Sequence, residues 1–544
     1  MRIRYSILVP VKNSIKTLPY TLETCLRQEE IQDYEVVVGD NGSTEDVKSV
    51  VDSFNNPRLV YYRNDEGSTQ ADSFNFILSK AKGEYVFMLG ADDSISRWAL
   101  YIADRILAIT GEDILWWNPS RYFWPERKDF PNSLWMPENR NYKWQNSEEK
   151  LGDFFRLTHS WDLPLLYQHC VIKRSLLNEI SEDLSQYELE LHEPPMADNF
   201  QGVMTLLYTK RFVEIPYGLI VMGQSYSGDS HKEKEGSAKQ NKNYISNQNV
   251  NRIKDEPFYT EGRLWHSFWL YHAMITAKTI LEKKGIDNNY IIPYKNLVAN
   301  TVHELLYQYE CSILEGQEYG EMFNDTIKYL QNSINKLNDN ELTNWFESAY
   351  GDLMNYDASV LNKDIIRKKL DTNPNHVIRC DNFSIRNISQ AQELIDNIYY
   401  SKSGIDNDMK MLSYSFKKTQ KLISEIKELD QKGSIAIYGS GSAADLILNT
   451  FFDFENDFKN PIYILDSDEN KRGDFFRGYE IYNPKDIPSM GIVGVVISSM
   501  EFQNAMYGNL VPYINELKVI KPYDIGDIQY LELIGNKQNK VVHI

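Results

Sequence analysis

The sequence is poor in cysteine, in long apolar runs and in positive charge. Its four cysteines, Cys25, Cys170, Cys311 and Cys380, are scattered through 544 residues with no Cys-x-x-Cys spacing. Too sparse to staple a chain of this length, they point to a reducing compartment. No apolar run approaches the ~20 residues that span a bilayer. The N-terminal SILVPV reads as a first strand and not as a signal peptide, so a cytoplasmic location is expected. Peripheral attachment at the inner face of a membrane stays open. Against 77 Asp and Glu there are only 58 Lys and Arg, a formal net charge of −19. That balance argues against a nucleic-acid partner, because neutralising phosphates takes a basic surface.

What is present is an ordinary globular composition, 42% hydrophobic and 25% charged, which excludes general disorder. At ~150 residues per domain the length implies several domains. YSILVPV, YEVVVGD, RLVYYRN and EYVFMLG are nearly continuous apolar strands, separated by the helical stretches TLPYTLETCLRQ, TEDVKSVVDSF and DSFNFILSKA. This alternation predicts an α/β fold with a parallel sheet covered on both faces, whose ligands bind at the carboxyl ends of the strands. Residues 229–255 are polar and nearly devoid of core residues, as in a linker or mobile loop. Helical periodicity then dominates to about residue 430. There Leu412, Phe416, Thr419, Ile423 and Ile426 follow spacings of four and three, suiting one face of a packed helix or, as the minority reading, a homo-oligomer seam. The expected organisation is an α/β domain over 1–235, a linker and helical region over 236–430, and a second α/β domain over 431–544.

Two places carry chemistry. Asp40 ends the second strand and Asp92-Asp93 end a later one, in YVFMLGADDS. Adjacent carboxylates on a core strand repel and lose solvation, so something cationic is expected nearby. With the loop Gly67-Ser68-Thr69 close by, the pattern suits Mg or Mn bridged to a phosphate. A helix cap followed by a solvated acid is the plainer reading of ADDSISRWAL. Further on, Gly439-x-Gly441-x-x-Ala444 follows a strand, with Asp466 ending the next, the setting of a dinucleotide fingerprint. A scaffold that docks a partner is its alternative. Trp116, Trp117, Tyr122, Trp124, Trp135 and Trp161 are either an acceptor-sugar platform or core.

SILVPVKN, VVVGDNGSTED and KGEYVFMLGADD, followed by HEPPMADNFQGVMTLLYTKRFVEIP, resemble in order and interval the family 2 glycosyltransferases of GT-A fold, over residues 1 to about 230. The C-terminal IAIYGSGSAA, YILDSDENKRG and VVISS resemble a Rossmann-like nucleotide-binding domain. The first resemblance implies inverting transfer of a sugar from a nucleotide-sugar donor, uridine-linked, to a hydroxyl of a glycan, glycolipid or protein acceptor. It implies Pro10, Val11, Asn13, Asp40, Asn41 and Gly67 around the donor, and Asp92 and Asp93 on a divalent cation with His231 as a further ligand. Asp198 takes the position of the general base, with Glu193 in reserve. The sequence departs from the family pattern in three places. Lys12 stands where an aromatic is often found, Gly90 replaces the leading Asp of DADD, and Ala197 replaces a Glu. Gly90 and Ala197 keep open a non-catalytic assembly subunit with a decayed transferase module. An oxidoreductase or epimerase acting through the C-terminal domain would need a Tyr-x-x-x-Lys arrangement that is missing after the fingerprint.

Overall fold

In a computed structural model, the described residues are 2–65, 69–127, 131–137, 142–157, 162–194, 196–225, 256–258, 266–285, 290–315, 320–350, 376–383, 385–441, 444, 458–476, 478–499, 502–515 and 517–521. They form two compact units, one of residues 1–143 and 147–405, the other of 144–146 and 406–544.

The first unit opens with β1 (Tyr5–Val11), α1 (Leu18–Leu26), β2 (Tyr34–Asp40), α2 (Val47–Ser53), β3 (Leu59–Arg63), α3 (Gln70–Leu78) and β4 (Tyr85–Met88). Then come β5 (Ser94–Ile95), α4 (Ala99–Thr110), β6 (Ile114–Trp116), β7 (Ser120–Phe123), β8 (Ser133–Met136), α5 (Ser147–Arg156), β9 (Cys170–Lys173), α6 (Arg174–Ser185), α7 (Ala197–Tyr208), β10 (Arg211–Glu214) and β11 (Ile220–Gln224). The main sheet runs β3-β2-β1-β4-β9-β6-β10. Its first four strands are parallel, and β9 lies antiparallel between β4 and β6. Every residue of β2 and β4 is buried, which explains why these strands read as continuous apolar runs. A second sheet has the order β12-β8-β7-β11-β5, where β12 is His376–Arg379.

Residues beyond 235 complete this unit. The helices α8 (His266–Lys283), α9 (Tyr294–Glu315), α10 (Gly320–Lys336) and α11 (Asn340–Tyr350) bury Tyr271, Met274, Val298, Val302, Leu330 and Phe346 in one core. The same core holds Phe74 of α3 and Phe200 and Val203 of α7. After β12 the chain forms α12 (Ile388–Tyr399), whose Ile388, Ala391 and Ile395 pack with Tyr122, Trp124 and Val221. α12 also reaches the segment just after the acidic turn. Asp396 accepts from Ser96 Oγ at 2.7 Å and Arg97 N at 3.1 Å, and Ser94 Oγ donates to Gln392 Oε1 at 3.1 Å.

The second unit takes most of α13 (Lys402–Asp430) and a six-stranded sheet with β13 (Ser434–Tyr438) near its centre. β13 pairs in parallel with β14 (Ile462–Leu465) on one side and with Ile492–Ile497 on the other. Of the heptad-like positions, Ile426 is buried in this core with Ile423 packed against it, and Phe416 stacks on Trp144 at 5.8 Å. The Thr419 side chain lies outside the described residues. Among the described residues no helix is long and apolar enough to cross a membrane.

Since α8–α11 and α12 cover apolar surface of the first unit, a fragment of residues 1–405 is expected to melt cooperatively. A fragment of residues 1–235, stripped of those helices, is expected to bind a hydrophobic dye and show no cooperative transition. Circular dichroism melts of the two fragments check this.

Candidate active site

Parallel pairing places the ends of β1, β2 and β4 on one edge. Val11 pairs with Asp40, and Leu8 with Met88, so Pro10-Val11, Asp40-Asn41 and the turn after Met88 share the carboxyl rim of the sheet. Asp40 is fully buried. Its Oδ1 accepts from Ser43 N at 2.9 Å, and its Oδ2 from Tyr61 Oη at 2.7 Å and Arg63 Nη1 at 2.8 Å. Burial pushes this carboxyl up, but the bonds from Ser43 and Tyr61 and the Arg63 charge outweigh it and hold the group below its ordinary value. The cation beside Asp40 is therefore Arg63, at the end of the neighbouring strand β3. Asn13 props the adjacent loop, its Oδ1 accepting from Thr44 N at 2.8 Å. Asn41 Nδ2 donates to Thr69 O at 3.2 Å, while Asn41 Oδ1 is buried without a partner among the described residues. Lys12 is exposed. Gly67 and His231 lie outside the described residues.

The two adjacent carboxylates have separate fates. Asp93 is fully buried, and three donors from three segments converge on it: Gly90 N at 2.5 Å and Gln168 Nε2 at 2.5 Å on Oδ2, and Gly223 N at 2.7 Å on Oδ1. Burial, with the charge of Asp92 adding to it, pushes the Asp93 carboxyl up to about 7, against the pull of those donors. Half-buried Asp92 accepts from Ser225 Oγ at 2.6 Å on Oδ2. No helix starts here. Ser94–Ile95 is strand β5, antiparallel to β11, so neither carboxylate is a helix cap. The repulsion expected between the pair is met by burial and hydrogen bonding of one member.

Gly90 explains its own departure from the family pattern. A Cβ there would lie 2.5 Å from Tyr167 Oη, 3.1 Å from Asp92 Oδ1 and 3.1 Å from Asp93 Oδ2, so a side chain would have to displace the phenol. Gly223 is equally constrained, since its Cβ would fall 1.8 Å from the backbone oxygen of Asp92. A glycine inside a strand is the sequence signal for such an approach. Tyr167 and Gln168 carried no comparable signal.

Asp198 sits in the first turn of α7, half-buried, and its Oδ1 accepts from Asn199 N at 2.9 Å. Burial pushes its carboxyl above the ordinary value, outweighing the backbone hydrogen bonds. Ala197 is buried in the apolar core, where the family's Glu would be stranded. Glu193 Oε1 accepts from Glu190 N at 2.7 Å. Next to it, buried His192 is held by Asn75 Oδ1 at 3.0 Å from Nδ1, and burial lowers its pKa to about 3. Phe74 joins the two regions, its ring 4.9 Å from that of Tyr167 and 5.3 Å from that of His192.

Other candidates resolve plainly. Trp116, Trp117, Tyr122 and Trp124 are buried, Trp116 Nε1 donating to Leu163 O at 3.0 Å and Tyr122 Oη to Asn132 Oδ1 at 2.8 Å. They are core and present no platform; Trp161 lies outside the described residues. In the second unit Gly439 and Gly441 follow β13, and Ala444 is buried. Asp466 ends β14 and accepts from Ser440 Oγ at 2.5 Å and Lys471 Nζ at 3.1 Å. Burial pushes Asp466 up, but the bonds from Ser440, Asp468 N and Lys471 hold it below its ordinary value.

Of the two carboxylates, Asp92 is the more exposed. The oxygens of Asp93 are occupied by the fold, and among the described residues no three His, Cys, Asp or Glu side chains are grouped to hold a metal ion. Half-buried Asp92 stands on the same rim as Asp40, and a metal completing its shell with donor phosphate oxygens and water needs few protein oxygens.

The chain is 36% identical over 89 residues to a chondroitin synthase of Escherichia coli, a stretch covering 16% of this chain and 13% of that protein's length. Among solved structures, S. aureus TarS 1-349 in complex with UDP-GlcNAc aligns with a TM-score of 0.35 and 15% identity, over 58% of this chain and 93% of that one. The mannosyltransferase PcManGT from Pyrobaculum calidifontis, in complex with GDP-Man and Mn2+, aligns with a TM-score of 0.32 and 19% identity, over 62% of this chain and 87% of that one. Residues 6–178, which carry both Asp40 and the acidic turn, match the model of glycosyl transferase family 2.

Proposed function

We propose that the protein transfers a sugar, with inversion, from a nucleotide-sugar donor, most simply a uridine one, to a hydroxyl of a saccharide, lipid-linked saccharide or protein. The observation that carries this reading is the gathering of Asp40 and Asp92 on one rim of a parallel sheet, inside the residues that match the family. The local likeness to a chondroitin synthase supports it.

In this reading Pro10, Val11 and Asn41 line the base pocket. Asp40 accepts the base N–H on Oδ1, beside the Ser43 amide, while Arg63 and Tyr61 hold the other oxygen. Asn13 shapes the loop from below. A divalent cation, when bound, would be held by Asp92 and would neutralise the departing diphosphate. Asp93 is a structural residue. Asp198 removes the proton of the acceptor hydroxyl, a poor nucleophile until that proton leaves. Its raised pKa supports the role, because a base works best when its pKa approaches the operating pH. The opposing reading, a non-catalytic subunit, drew on Gly90 and Ala197. Both are accounted for by packing, and slow donor hydrolysis without acceptor would exclude that reading.

Asp198→Asn is expected to keep donor affinity and lose roughly 10²–10⁴-fold in turnover. Because the base acts ionised, wild-type turnover should rise with pH through a pKa above the ordinary ~3.9 and then level, and the variant should lack this limb. Initial rates across pH, with donor affinity by calorimetry, check both; unchanged turnover would remove Asp198 from the mechanism. Gly223→Ala should push the Asp92 backbone out of place, costing about 1–3 kcal/mol of stability and weakening donor binding, as read by thermal melts and calorimetry.

A further inference from the structure

We propose that Arg121 receives a carboxylate or phosphate of the acceptor, so that the protein extends an anionic saccharide; this rests on the transferase reading. Arg121 lies on β7, between β8 and β11 of the second sheet, where its register partners are Trp135 and Met222. Tyr122, Leu134 and Val221 turn one face of that sheet into the core with α12. Because side chains alternate along a strand, Arg121, Phe123, Trp135 and Met222 stand on the other face.

The charge there is uncommitted. Among the described residues Arg121 makes no hydrogen bond, ion pair or ring contact. It is exposed, yet the protein around it takes away solvation and lowers its pKa, with no carboxylate to oppose the shift. The neighbouring His169 offers no counter-charge, since burial and then the Arg121 charge hold its imidazole down to about 4. Asp162, which pulls His169 the other way, is bound by Lys150 Nζ at 3.2 Å. In a chain with 77 acidic and 58 basic residues, a crowded cation left without an acid is placed for an anion that comes from outside.

Its surroundings favour a sugar as the bearer of that anion. Trp135 and Met222 are half-buried, and the Trp135 ring packs on that of Phe123 at 4.8 Å, so the guanidinium has apolar flanks suited to the C–H face of a saccharide. A carboxylate or phosphate presents paired oxygens that match the guanidinium fork. A neutral sugar would leave the charge unanswered. The place also fits an acceptor. On β11 the residue after Met222, Gly223, donates to Asp93 Oδ1 at 2.7 Å, and Ser225 Oγ donates to Asp92 Oδ2 at 2.6 Å. A Cβ on Gly223 would meet the backbone oxygen of Asp92, whereas Arg121 and Met222 stand on the opposite face of that sheet. Arg121 is therefore next to the acidic turn and turned away from its backbone. The rival anion is the donor's diphosphate, which the reading above gives to the cation at Asp92.

Calorimetry on the full chain, with UDP and Mn2+ present, compares a tetrasaccharide of alternating glucuronate and N-acetylhexosamine, a glycerol phosphate tetramer and neutral cellotetraose. One anionic probe is expected to bind roughly ten- to a hundredfold tighter than cellotetraose, and which one it is separates carboxylate from phosphate. Arg121→Met keeps most of the apolar stem, so its melting temperature and UDP affinity should hold while the anionic probe falls to the neutral level. Arg121→Gln, a second neutral variant, should show the same loss, and Arg121→Lys, with the charge but not the fork, should retain part of the preference. Cellotetraose binding as tightly as both anionic probes, or a preference that survives in the Met and Gln variants, overturns the inference and leaves the transferase reading standing. Loss of UDP affinity in Arg121→Met at an unchanged melting temperature gives the guanidinium to the donor and overturns it too. No UDP binding by the wild type overturns the transferase reading, and the inference with it.

Discussion

The buried carboxyl of Asp93 is the joint on which the candidate site hangs. It draws donors from the turn after β4, from the segment before β9 and from β11, so that three parts of the chain meet at one carboxyl. Removing a carboxylate from water costs several kcal/mol unless hydrogen bonds replace the solvent. Here two backbone amides and a side-chain amide do so. The balance stays fine, and burial prevails enough to raise the pKa to about 7. A carboxyl whose folded pKa exceeds its unfolded value contributes stability that is full below about 4 and lost as pH rises through about 7. The joint is thus firmest when Asp93 holds a proton, which is also the state that relieves repulsion from Asp92.

With Asp93 fully buried, Asp92 is the half-exposed member of the pair. The division follows from backbone geometry. Gly223 brings main chain against the acidic turn so closely that the position admits no Cβ, and its amide reaches the Asp93 carboxyl because of it. Behind the turn, α12 anchors Ser94, Ser96 and Arg97 through Gln392 and Asp396, residues some 300 positions later in sequence. Asp396 is itself buried and its carboxyl pushed up by burial, so the rim is backed by a second polar joint of the same kind.

The parallel sheet was legible because its strands are buried on both faces and leave unbroken apolar runs, as in YEVVVGD and YVFM. The rim followed, since parallel strands end together. What the sequence concealed depends on long-range partners. Nothing local distinguishes Asp92 from Asp93; Gln168, just before β9, and Gly223, in β11, do, and they meet the turn only in the fold. The helical pattern of α8–α11 was plain, but a hydrophobic stripe does not say which core it enters, and these stripes enter that of the first sheet. Trp116 and Trp117 could be read as platform or core because a buried aromatic and an exposed one read alike in one dimension; both are core.

Gly90 illustrates why a motif is better read as a volume than as a string. Seen alone, the loss of the leading aspartate removes an acceptor and suggests decay. In space, the room it vacates is taken by the phenol of Tyr167, aligned by Phe74 and by the bridge to Met88. An oxygen therefore stands near position 90 without a third carboxylate beside Asp92 and Asp93.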